Sequence, residues 1–165
     1  MAQVFIAHSS KDKWLIDPIC EWLRCAGVNP YLAELESPTP LPLPDKLEAA
    51  IKNSNAVVVV FTRNVANIQQ TRDVVNWEVA TAHAYKRPVY VFREKGVEVP
   101  LMINYITDYF TFDPLDQHTL KRALQRVYNI GLKIKKEEDV AKVVSTGLLI
   151  IFGIIVLWQY LGEKE

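Results

Sequence analysis

Hydrophobic and polar positions along the first 128 residues fall into short apolar runs separated by amphipathic stretches. Gln3–Ala7 (QVFIA) is an apolar run of strand length that ends at His8-Ser9-Ser10. Those serines can cap the helix that follows. From Lys11 to Cys25 the apolar positions Leu15, Ile19, Trp22 and Leu23 recur at helical spacing, with Ala26 continuing the face and Gly27 closing it. Pro18 lies inside this stretch and predicts a kink. Val28–Ala33 reads as a second strand, and Pro30 places it at a sheet edge. Glu34–Pro44 carries four prolines in eleven residues, which predicts a stiff extended loop. Asp45–Lys52 is a short amphipathic helix. Ala56–Phe61 (AVVVVF) is apolar at every position, as in a central parallel strand covered on both faces.

Thr62–Gln70 predicts a polar loop, and Thr71 onward a helix in which Val75, Val79 and Ala82 form the buried stripe. Pro88–Phe92 and Tyr109–Phe112 complete five strands. Asp113 and Pro114 open a last helix carrying Leu120, Leu124 and Val127 inward, with Gly131 as its stop. Strands alternating with helices at these lengths predict a flavodoxin-like α/β fold: a five-stranded parallel sheet in the order 2-1-3-4-5, with helices on both faces. Ligands of such sheets bind at the carboxyl ends of the strands, where His8–Ser10, the proline-rich loop and Thr62–Gln70 would meet.

Glu78 is the anomaly in this pattern. Its neighbours three and four residues away include Val74, Val75 and Ala82, so a carboxyl group sits at the edge of an apolar stripe. Desolvation there would raise its pKa and suit it to acid–base or cation-stabilising work. A boundary glutamate paired with Arg72 or Lys86 accounts for the same pattern.

Charge narrows the choices. Lysine plus arginine and aspartate plus glutamate number nineteen each, which leaves no electrostatic footprint for nucleic acid. Cys20 and Cys25 lack a CxxC spacing, and His8, His83 and His118 are scattered, so neither a disulfide framework nor a metal centre is expected. The far end differs from the rest. Residues 143–162 (VVSTGLLIIFGIIVLWQYLG) hold no charged residue and as a helix would span roughly 30 Å, the thickness of a bilayer core. Lys133, Lys135, Lys136 and Lys142 precede this run and only Lys164 follows it, which would keep the main domain in the cytoplasm. The expected organisation is a domain over 1–131, a charged juxtamembrane linker over 132–142, and a single C-terminal transmembrane helix over 143–162, with no signal peptide at the other end.

VFIAHSSKDK, VNPYLAELE, DKLEAAIKNSNAVVVVFT and NWEVATAHAYKRPVYVF, in this order, resemble a Toll/interleukin-1 receptor (TIR) domain over about residues 3–128, nearest the stand-alone prokaryotic type. The resemblance implies one of two activities. Some TIR domains are scaffolds for signalling through TIR–TIR binding. Others cleave the nicotinamide–ribose bond of NAD⁺, giving ADP-ribose or a cyclic isomer, often in antiphage defence. In the enzymatic group the essential residue is a glutamate on the helix after the third strand, and Glu78 matches it. By the same carry-over His8 and Ser9, Leu43, Thr62 and Trp77 are candidate substrate-binding residues, NAD⁺ is a substrate and not a cofactor, and other TIR domains are partners. Three departures stand out: Val74 where an aromatic is common, prolines where the loop before the second helix carries a glycine, and Thr62 where a serine is usual. The expected function is a membrane-anchored NAD⁺ nucleosidase, with a non-catalytic TIR scaffold as the alternative. A third possibility is another nucleotide-binding flavodoxin-like protein, such as a nucleoside deoxyribosyltransferase relative.

Overall fold

The computed structural model describes residues 1–32, 43–99 and 103–162, with the side chains of Leu43, Ile103 and everything from 146 onward outside the description. Five parallel strands form one sheet: β1 (Gln3–Ala7), β2 (Asn29–Leu32), β3 (Ala56–Phe61), β4 (Val89–Glu94) and β5 (Asp108–Phe112), in the order β2-β1-β3-β4-β5. This is the predicted order, and Pro30 lies on an edge strand as its missing N–H requires. Among the described residues five α-helices accompany the sheet: α1 (Lys13–Cys25), α2 (Leu43–Asn53), α3 (Arg63–Asn67), α4 (Gln69–Ala84) and α5 (Gln117–Gly162).

Alternation along the strands sorts the core into two halves. Val4, Ile6, Val58 and Val60 face α1 and α5, where Leu15, Ile19, Leu23, Val127 and Ile130 cover them. Phe5, Ala7, Val57, Val59 and Phe61 face α2 and α4, against Ile51, Val75, Val79 and Ala82. All six residues of β3 are buried, as expected of a strand covered on both sides.

Three expectations fail for identifiable reasons. The segment after β3 is not all loop: Thr62 accepts a hydrogen bond from the Asn64 N–H and caps the short helix α3, which buries Val65. Asp113 closes a turn by accepting from the Leu115 N–H, and the residue that caps α5 is Asp116, which accepts from the His118 N–H. Gly131 does not end the last helix either. A methyl group built on Gly131 would stand 2.6 Å from the Ala26 Cβ, so glycine here permits the close crossing of α5 over the end of α1. The helix then continues, burying Ile134, through what the sequence suggests is a linker at 132–142.

The proline-rich loop over 33–42 lies outside the described residues. The expected span at 143–162 lies in the backbone of α5, but its side chains from 146 on are outside the description. Among the described residues no helix is long and apolar enough to cross a membrane.

Candidate functional site

The carboxyl ends of β1, β3 and β4 bring three short segments together. After β1, the chain turns at His8-Ser9. The His8 Nδ1 stands 2.9 Å from the Ile6 carbonyl oxygen. A carbonyl can only accept, so Nδ1 carries the proton and Nε2 is left as the acceptor. Ser9 is buried and accepts from the Lys11 N–H, capping a 3-10 turn over Ser10–Asp12.

Asp12, at the end of that turn, is 1% exposed and reaches across to the segment after β3. One of its oxygens accepts from the Thr62 hydroxyl at 2.6 Å and the other from the Asn64 side-chain amide at 2.6 Å. Glu94, the last residue of β4, holds the same turn from the opposite side. It accepts from the Arg63 N–H at 3.0 Å, and its other oxygen lies 3.0 Å from the Arg63 Nε. The turn Thr62-Arg63-Asn64 is thus gripped by two buried carboxyl groups from different strand ends. Asp12, Asn64 and Glu94 carry no mark in the sequence, because their partners lie 52 and 31 residues away.

Glu78, the remaining acidic candidate, lies on α4. Two contacts fix the rotation of this helix. His83 stacks on Tyr105 with ring centroids 4.0 Å apart, on the flank toward the segment before β5. The Tyr85 hydroxyl donates to Glu48 of α2, on the opposite flank. Glu78 precedes Tyr85 by seven residues, two helical turns, and therefore lies on the flank toward α2. It is 4% exposed. Burial pushes its carboxyl from 4.5 up to about 8, and among the described residues no cation or hydrogen-bond donor offsets that burial. The alternative of an ordinary ion pair with Arg72 or Lys86 is absent among them: Arg72 instead donates to the Ala66 carbonyl.

The six sequence candidates are not all gathered in one place. His8, Ser9 and Thr62 share the carboxyl edge of the sheet, although the Thr62 hydroxyl is already engaged by Asp12. Leu43 begins α2, and its side chain lies outside the described residues. Trp77 adjoins Glu78 in sequence but stands about 100° round the helix from it. It is 38% exposed and faces outward with Val74, which is 44% exposed. A shallow hollow along α5, between Leu132, Lys136, Val140 and Val143, contains none of the six.

Glu78 is a nearly dry carboxyl group, uncompensated among the described residues. Such a group is neutral in an empty site at pH 7. A cation brought beside it would favour its ionised form and gain an interaction little screened by water.

The sequence profile of a family described as "TIR domain" matches residues 4–127. Among curated proteins no relative matches the chain. Solved structures share the fold at low identity. A diflavin flavoprotein A3 from Nostoc sp. is 14% identical, covers 83% of this chain and 96% of its own, with a TM-score of 0.57. A CMP N-glycosidase of Clostridium botulinum is 16% identical over 76% of this chain and 97% of its own, with a TM-score of 0.52. A prokaryotic SEFIR domain is 17% identical over 78% of this chain and 92% of its own, with a TM-score of 0.50.

Proposed function

The chain belongs to the TIR domain family, and from that membership we propose that it is an NAD⁺ nucleosidase with Glu78 as its catalytic residue. The observation that carries this reading is the Glu78 carboxyl on the α2 flank of α4, buried and uncompensated among the described residues. Removing nicotinamide from NAD⁺ leaves growing positive charge on the ribose, and a desolvated carboxylate beside the sugar lowers the energy of that transition state. The cationic nicotinamide ring of the substrate supplies what the empty site lacks. Its entry favours loss of the Glu78 proton, so the charge needed for the chemistry forms as the substrate binds.

The apolar run at 143–162 supports a membrane anchor with the TIR domain on the cytoplasmic side, given the lysines that precede it. Confinement to a surface raises effective concentration and would favour assembly with other TIR domains. This setting suits signalling or antiphage defence.

The test is chromatographic analysis of NAD⁺ incubated with the full chain in detergent, beside Glu78→Ala and Glu78→Gln. Nicotinamide release by the wild type and its loss in both variants is the expected result. Wild type and variants equally inert at high protein concentration would end the enzymatic reading. CMP belongs in the same assay, because a protein of this fold bears the name CMP N-glycosidase; base release from CMP and not from NAD⁺ would move the assignment there. A non-catalytic scaffold is favoured by one observation, the outward-facing Val74 and Trp77. Concentration-dependent self-association without turnover would select it.

A further inference from the structure

The grip on the turn after β3 exceeds what a five-residue helix needs. Thr62 already supplies the usual side-chain cap to α3 by accepting from the Asn64 N–H. Asp12 adds a buried carboxylate from another loop, and removing a carboxylate from water is costly unless its oxygens are bonded. Both are bonded here, at 2.6 Å each. The bonds are short and charge-assisted, the strong kind. They join the segment after β1, which holds His8 and Ser9, to the segment after β3, which holds Thr62. On the far side Glu94 accepts from the Arg63 N–H and pairs with its guanidinium, so the turn is bonded from both flanks.

We infer that Asp12 is the positioning residue of the candidate site, locking the two loops at the carboxyl ends of β1 and β3 into one rigid rim for the substrate. It touches no reacting atom. Its effect is on geometry: a rim that is already in place loses no freedom when the sugar enters, and small misplacements of reacting groups are expensive in rate. The inference rests on the proposed NAD⁺-cleaving reaction for its kinetic consequence, but the rigid rim is a property of the folded chain and can be measured without turnover.

The test uses the full chain and three variants. Asn64→Asp sets a second carboxylate, which has no donor, against Asp12 and breaks one of the two bonds. Asn64→Ala removes the same bond without adding charge and serves if Asn64→Asp folds poorly. The exchange Asp12→Asn with Asn64→Asp restores the pairing with donor and acceptor reversed: the new amide at position 12 donates to the new carboxylate at 64 and still accepts from Thr62. Both single variants should lower kcat on the order of 10- to 100-fold with a much smaller change in KM, and the exchanged pair should recover most of the rate. Folded single variants with wild-type kcat and KM would overturn the inference. So would an exchanged pair whose melting temperature recovers while its rate does not. If the wild type releases no nicotinamide, the reaction fails and the rim is judged by amide hydrogen exchange. Asn64→Ala should then speed exchange at both the Asp12 and Ala66 amides, which bond to Ser9 and Thr62. Faster exchange at Ala66 alone would overturn the rim.

Discussion

Replacing Glu78 by glutamine removes the ionisable proton and keeps the shape, and its consequence for stability can be worked from burial alone. The Glu78 carboxyl titrates at 4.5 when exposed and at about 8 when buried in the folded chain. Between those values the folded chain holds a proton that the unfolded chain has released, so stability falls as pH rises through this window. Each pH unit is worth about 1.4 kcal/mol. At pH 7 Glu78 should therefore cost the wild type about 3 kcal/mol relative to a neutral side chain of the same size. That figure is an upper limit, because an opening fold readmits water around the charge. Glutamine is neutral throughout. The variant should match the wild type near pH 4 and exceed it increasingly toward pH 8. The assay is urea unfolding of the full chain in detergent at several pH values, comparing midpoints of variant and wild type so that other titrating groups cancel. With a slope of about 1–3 kcal/mol per molar urea, the midpoint at pH 7 should rise by about 1–3 M. A difference independent of pH would refute the reasoning, as would a wild type more stable than the variant at pH 7. Either result would mean that Glu78 has a partner in solution, and the case for its chemistry would go with it.

Three other outcomes are expected. If the ionised form of Glu78 does the work, kcat/KM for nicotinamide release should climb about tenfold per pH unit below 8 and level off above it; a flat or falling profile would contradict that role. Gly131→Ala should lower stability by about 1–2 kcal/mol, the strain of overpacking against Ala26 outweighing the better helix propensity, and adding Ala26→Gly should restore it in thermal melts. Lys86 sits at φ 55° where α4 ends, with its N–H bonded to the His83 carbonyl and the Arg87 N–H to that of Ala82; Lys86→Gly should raise the melting temperature through a gain of about 1 kcal/mol.

What the sequence made legible was whatever depends on local periodicity. β3 announced itself as six apolar residues in a row, and the edge position of β2 followed from Pro30. Glu78 was visible because Val75, Val79 and Ala82 fix the face on which it lies. Features that depend on two distant segments were not visible. Gly131 has the local appearance of a helix stop, and only the Ala26 methyl group across the crossing gives it another purpose. Asp12 stands in a polar stretch, HSSKDK, that any exposed turn could have. Its burial is created by Thr62 and Asn64, 50 and 52 residues further on. Trp77 misled in the opposite way: adjacency in sequence suggested a shared site, whereas on a helix adjacent residues diverge by about 100°.

Four acidic side chains among the described residues separate into two kinds, and the separation is itself an argument about function. Asp12 and Glu94 are buried and have their oxygens occupied by the turn after β3. Asp113 is held below the usual carboxylate range by the Leu115 N–H first and then by Lys95. Glu78 is as buried as the first two, yet its carboxyl is offset by nothing among the described residues. A fold that satisfies its other carboxylates so thoroughly has the means to satisfy this one, since an arginine or an asparagine on the facing flank of α2 would do it. With no offsetting partner among the described residues, Glu78 lowers the stability of the empty protein. Under the proposed reaction, positive charge developing on the sugar beside that flank would offset the deficit as it appears, which is the condition for binding a transition state more tightly than a substrate.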